Sequence, residues 1–187
     1  FEPETGELIW KFDANPKDTK YELGGAGTRS DFIGTPVLYD DKLYIGTGQD
    51  PEHFSGIAHF YCIDPSTKKG DISPELGPWG EPGKPNPNSA VVWHYGGNDT
   101  RKLVPRDFKF GRTMSTCTIV DDILYIAELQ GYIHCFDAKT GKKLWTARFD
   151  GQFSGSPVYA GGHIYFPGEV GKTYVIKPGK EYEEVAV

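Results

Sequence analysis

Along residues 143–149 the chain sets Lys143, Trp145, Ala147 and Phe149 against Leu144, Thr146 and Arg148. That alternation has the period of a strand and puts the large rings on one face. Upstream, apolar runs broken by turn formers predict strands at 114–120, 123–127 and 132–136, so the four form an antiparallel unit. The pair Asp121-Asp122 turns the middle hairpin, and "DAKTG" (137–141) turns the last one, with Gly141 free to take positive φ. No stretch sustains a 3.6-residue apolar spacing, so helix is expected to be nearly absent.

The unit recurs. "TPVLYDDKLYIGTG" (35–48), "HFYCIDPSTKKG" (59–70) and "SPVYAGGHIYFPGEVGKTYVIKPG" (156–179) repeat parts of it. Tyr44, Tyr125 and Tyr165 coincide, as do Ile63, Phe136 and Ile176, and the turns Asp40-Asp41, Asp121-Asp122 and Gly161-Gly162. A repeat of about 40 residues with four short strands is the period of propeller blades. The expected fold is all-β: a partial β-propeller of four-stranded antiparallel blades at 32–95, 114–149 and 155–187, with 1–12 as the outer strand of a preceding blade. Trp10, Trp93 and Trp145 fall on equivalent outer strands and are expected to pack between blades, each contributing roughly 1.5–3 kcal/mol or more. The last blade has Val185 in that place. An arc of three blades bares an apolar face at each end, so the remaining blades of a larger propeller, or a second chain, are expected there.

Composition narrows the partners. With 24 Gly, 14 Pro, 11 Tyr and 11 Phe the chain is rich in turn and strand formers, in keeping with the blades. A net charge of −6 without a basic block disfavours nucleic acid and anionic lipid. No apolar run approaches the ~18 residues of a membrane span. Cys62, Cys117 and Cys135 lie on strand positions and form no Cys-x-x-Cys, so buried free thiols are expected.

Candidate chemistry lies in four insertions, 13–31, 46–58, 65–89 and 96–113. Three of them join strand b to c or strand d to the next strand a, and such connections leave an antiparallel blade on the same side, so they crowd one rim. The fourth, Pro-rich 65–89, is expected to be a cover or docking strap on the opposite face. On the rim Asp50, His53 and His59 suggest a metal site short of a fourth ligand; two imidazoles and one carboxylate suit calcium poorly. Arg29, Arg101, Arg106 and Arg112 are placed to pair with carboxylates of a partner, or with Asp31, Asp99 and Asp107 inside the protein.

The stretch "DAKTGKKLW", preceded by "STCT" and "LYI" and shared in part by "PETGELIW", resembles the PQQ-like repeat of quinoprotein propellers and of bacterial outer-membrane-assembly propeller lipoproteins. The resemblance covers the chain apart from its insertions. It implies a periplasmic or cell-envelope propeller in a bacterium, acting as a non-catalytic scaffold that binds a protein partner and holds no cofactor in these residues. The alternative it carries is part of a quinoprotein-type oxidoreductase with PQQ and calcium. That family is expected to show adjacent cysteines at the cofactor, a Glu/Asn/Asp calcium set and a catalytic Asp, and this sequence has no Cys-Cys pair.

Overall fold

The computed structural model describes residues 1–22, 29–49, 56–74, 86–97 and 108–187, and every regular element among them is a strand. The short β1 (Trp10–Lys11) comes first. Next, β2 (Val37–Tyr39), β3 (Lys42–Gly46), β4 (His59–Ile63) and β6 (Val91–Gly96) form an antiparallel sheet in that order, with β5 (Gly70–Asp71) inserted between β4 and β6. A second sheet joins β7 (Thr118–Val120), β8 (Ile123–Ala127), β9 (Tyr132–Asp137) and β10 (Lys143–Arg148). The third joins β11 (Val158–Ala160), β12 (His163–Pro167), β13 (Thr173–Ile176) and β14 (Glu184–Ala186). These are consecutive blades, as the repeat predicts.

The turns explain the repeated residues. At the tight hairpins Asp40 and Asp41 have φ of 48 and 56°, Asp121 and Asp122 48 and 63°, and Gly161 and Gly162 54 and 81°. Positive φ at both central residues is the two-residue turn that suits the strand twist, and Asp tolerates it because its short side chain can bond locally. In the wider turn, the Gly141 amide donates to the Asp137 carbonyl at 2.9 Å, and the Thr140 amide and hydroxyl donate to the Asp137 carboxylate at 2.9 and 2.8 Å. The start of the chain makes the same turn, with Gly6 donating to the Glu2 carbonyl at 2.8 Å.

Blade packing then shows why the turn and the tryptophan recur together. The indole of Trp93 lies on Gly141 of the next blade, so closely that a Cβ there would sit 2.5 Å from the ring. Its Nε1 donates to the Ala138 carbonyl at 2.7 Å. Tyr44 donates to the same carbonyl at 3.2 Å. One blade further on, Trp145 donates to the Gly179 carbonyl at 3.4 Å, and Tyr125 accepts from the Gly179 amide at 2.8 Å. Trp145 also meets Tyr182 edge-on at 5.3 Å. Trp10 is half-buried against the cluster of Tyr61, Ile63 and Ile72. All three tryptophans are therefore packing residues, each engaging the blade that follows.

Register corrects one position. Tyr125 pairs with Cys135 and Cys135 with Trp145, whereas Tyr165 pairs with Val175 and Val175 with Ala186. Ala186, not Val185, thus stands where the other blades carry Trp, because the β13–β14 connection runs one residue longer than the β9–β10 connection, while the same ladder shift recurs in all three blades.

The described ends of the 65–89 insertion act as a strap between blades. Strand β5 pairs in parallel with β1, Trp10 opposite Gly70. Ile72 is fully buried beside Tyr61, and the Ser73 hydroxyl accepts the Asp13 amide at 2.7 Å. Asn86 and Asn88 tie the strap's return to the carbonyl of Asp71 at 3.2 and 3.0 Å.

Candidate functional site

The three long connections meet on one rim, held together by backbone. Asp31 and Gly48 exchange hydrogen bonds of 2.6 and 2.8 Å, Ala58 donates to Phe110 at 2.9 Å, and Thr113 donates to Thr47 at 3.2 Å. Gly48 is required at this crossing, since a Cβ there would lie 1.8 Å from the Thr113 carbonyl oxygen. Side chains reinforce the seam. Asn15 donates to the Ser30 carbonyl at 2.9 Å and accepts the Ser30 amide at 2.8 Å. The Thr47 hydroxyl accepts the His59 amide at 2.9 Å.

Buried polar groups concentrate here. His59 is 2% exposed, and its Nδ1 lies 2.9 Å from Nε2 of His94 on the neighbouring strand. One nitrogen of that pair donates and the other accepts, so at most one ring carries a charge without breaking the bond. Burial, together with the neighbouring His94, pushes His59 down to about 3; burial and the positive Lys109 push His94 down to about 4. A second buried pair stands on the next blade. The Glu128 carboxylate takes the Gly111 amide on one oxygen and lies 2.9 Å from His134 Nε2 through the other, while His134 Nδ1 lies 2.9 Å from the Thr146 hydroxyl.

These histidines give a pH prediction. Both folded values for the first pair lie below the ordinary value of 6.5, so the unfolded chain takes up protons first as the pH falls. Stability is therefore full above about pH 6.5 and drops toward pH 4, by on the order of 2 kcal/mol per imidazole at pH 5. Urea midpoints at pH 7.5, 6 and 5 should fall in that order, and less steeply in His94→Gln. A midpoint unchanged between pH 7.5 and 5 refutes the buried neutral pair.

Between the three connections opens a pocket of about 560 Å³. Pro16, Gly56, Ile57 and Phe108 give it apolar walls, His59 and Arg112 lie in its buried part, and Asp18, Thr19 and Lys20 edge it. The Arg112 guanidinium lies against Gly56, where a Cβ would meet its Nε at 2.6 Å.

The sequence-predicted residues fall as follows. His59, a candidate metal ligand from the sequence, is buried against His94 and lines the pocket. Arg112 lines it too, and is 8% exposed. Arg29 sits on the rim, but pairs with Asp13 at 2.8 Å rather than with Asp31, which contributes its backbone to the seam. Asp50, His53, Asp99, Arg101, Arg106 and Asp107 lie outside the described residues. Among the described residues no three of His, Cys, Asp and Glu lie close enough together to hold a metal. Cys62, Cys117 and Cys135 are free and buried, as expected. Sequence reasoning missed His94, Asn15, Glu128 and His134. Only His134 left a legible signal, a histidine at a strand position where the equivalent residues of the other blades are Tyr61 and Tyr174.

Sheets of this order, with tyrosine and tryptophan docked on the next blade's turn, are those of a PQQ-like repeat propeller. Residues 86–177 match the family model described as "Outer membrane protein assembly factor BamB". No curated protein matches the sequence. Among solved structures, BamB from Moraxella catarrhalis is similar at a TM-score of 0.50 and 15% identity, over 84% of this chain and 35% of that one. The quinohemoprotein alcohol dehydrogenase from Comamonas testosteroni is similar at 0.54 and 17%, over 95% of this chain and 22% of that one. The chain thus spans about a third or less of each of these structures.

Proposed function

We infer that this chain is a propeller scaffold of the bacterial cell envelope that binds a protein partner through its insertion rim and performs no redox chemistry with the residues present. The carrying observation is the convergence of three long connections, with their buried polar side chains and a pocket, on one rim. Regular blades supply rigidity, and loops on a rigid frame are where recognition resides. The match to the outer-membrane-assembly family supports the envelope location and a protein partner.

The donor set does not fit calcium and a quinone. Calcium takes six to eight oxygens. Among the described rim carboxylates Asp13 is engaged with Arg29 and Lys17 and Glu128 with His134 and the Gly111 amide, and Asp18 and Asp31 together supply fewer than six oxygens. The three cysteines lie apart in sequence, and burial raises Cys62 to about 11 and Cys117 and Cys135 to about 12, which leaves unreactive thiols.

A photo-crosslinking amino acid at Thr19 or Ile57 on the rim, compared with one at Lys180 in the β13–β14 connection on the opposite side, tests the partner reading in the native envelope. Adducts to one protein from the rim positions alone are expected. Equal labelling from Lys180, or none from the rim, overturns it. Titration with PQQ and calcium, followed by cofactor absorbance and dye-linked alcohol oxidation, should show no saturable binding near micromolar concentrations. Saturable binding there with turnover would transfer the chain to the oxidoreductase reading.

A further inference from the structure

We propose that the rim pocket receives an uncharged hydroxyl-bearing ring, the side chain of a tyrosine on the partner protein, and that His59 is the residue that reads its hydroxyl. The inference rests on the reading of this rim as a protein-binding face.

Three observations carry it. First, the pocket of about 560 Å³ is concave with mixed walls: Pro16, Ile57 and Phe108 present apolar surface, and Phe108 offers an aromatic face or edge to an incoming ring. Pockets of a few hundred Å³ with few polar groups are the common form of a ligand site. Second, His59 lines this pocket although it is 98% buried by residue area, being 2% exposed. Its Nδ1 is engaged by His94, and among the described residues its Nε2 has no hydrogen-bond partner. That nitrogen is not among the fully enclosed unpartnered side-chain atoms, so it keeps accessible surface that a hydroxyl group in the pocket can reach.

Third, the two rings form a unit that adapts. If His59 donates through Nδ1, its Nε2 is an acceptor; if His94 donates, His59 Nε2 becomes an N–H donor. A hydroxyl can answer either state, since it both donates and accepts. A carboxylate answers only the second, and an ammonium only the first. The neighbouring Tyr61 ring stacks on His94 at 4.8 Å and holds the pair in place. Lys20, Arg112 and Asp18 also line the pocket, so a ring bearing a carboxylate is the competitor to be tested.

The test titrates the intact chain with p-cresol, toluene, 4-methylbenzoate and N-acetyl-tyrosinamide, while long-range ¹H–¹⁵N spectra follow the histidine rings. Expected are p-cresol binding at least about 10-fold tighter than toluene and 4-methylbenzoate, N-acetyl-tyrosinamide binding at the same site, and ring nitrogens of His59 and His94 shifting together while those of His163 on the third blade stay still. His59→Phe should bind p-cresol and toluene alike. Should that variant fail to fold, Ile57→Trp, which fills the pocket, should abolish p-cresol binding.

Equal affinity for p-cresol and toluene overturns the role of His59. Tighter binding of 4-methylbenzoate overturns the uncharged ligand, and binding of p-cresol without N-acetyl-tyrosinamide shows a site for free phenols instead of a side chain. A rim that cross-links a partner yet ignores p-cresol sinks this inference and leaves the partner reading standing; p-cresol binding without rim cross-links sinks the partner reading and the partner tyrosine with it, and leaves a site for free phenols.

Discussion

Trp93→Ala is expected to destabilise the protein by about 3–5 kcal/mol, the range for truncating a large buried ring. Trp93 is 9% exposed, stacks on Phe60 at 5.8 Å and meets Phe136 of the following blade at 5.9 Å. Alanine would open a cavity between the two blades, above a glycine that has no side chain to move into it. The Ala138 carbonyl would also lose its 2.7 Å donor, although Tyr44 remains on it. Trp145→Ala should cost less, because that indole is only half-buried and its hydrogen bond is 3.4 Å. Chemical denaturation of both variants decides the order: a Trp93→Ala midpoint equal to wild type with an unchanged m-value would show that the inter-blade socket contributes nothing.

A comparable loss, about 3–5 kcal/mol, is expected for Glu128→Ala, since removing one member of a buried pair strands the other. Both Glu128 and His134 are at most 1% exposed, and the Gly111 amide loses its acceptor in the same step. Glu128→Gln keeps an acceptor for Gly111 and a donor for His134 Nε2, so it should recover more than half of the loss. Gly111 links the two effects, because its position would place a Cβ on the Glu128 carboxylate. The seam between Ile57 and Gly111 should loosen with the pair, and amide exchange at Ala58 and Arg112 should rise. A Glu128→Ala protein within about 1 kcal/mol of wild type and with unchanged exchange would refute this coupling.

The fold was legible because its rules are local. A two-residue turn with positive φ needs Asp or Gly, and the Asp-x-x-Thr-Gly turn needs glycine for φ and for the neighbour's indole, so both recur in the sequence. The rim was legible from connection lengths alone, since antiparallel blades fix the side on which each loop emerges. Individual partners were less so. Asp31 lies close to Arg29 in sequence, but the connection closes through the Asn15–Ser30 hydrogen bonds, and that brings Asp13 to the guanidinium. The His59–His94 contact spans 35 residues and an insertion. It follows only once Trp93 is placed opposite Cys62, which sets His94 opposite Tyr61 and diagonal to His59. The same holds for Val185: an extra residue in a turn shifts the outer strand by one, which no alternation pattern reveals when Glu184, Val185 and Ala186 are all exposed.

The one-way docking of each tryptophan bears on how the chain is made. A ribosome delivers Trp93 before Ala138 and Gly141, and Trp145 before Gly179, so each indole emerges some tens of residues ahead of its socket. At about 5–20 residues per second the wait lasts seconds, long compared with the microseconds in which a hairpin forms. During that interval a finished sheet carries a bare aromatic edge, and the next turn to be synthesised is what covers it. Growth from the N-terminus therefore seals blades in order, and a pause in translation just after an outer strand would leave the nascent chain at its stickiest.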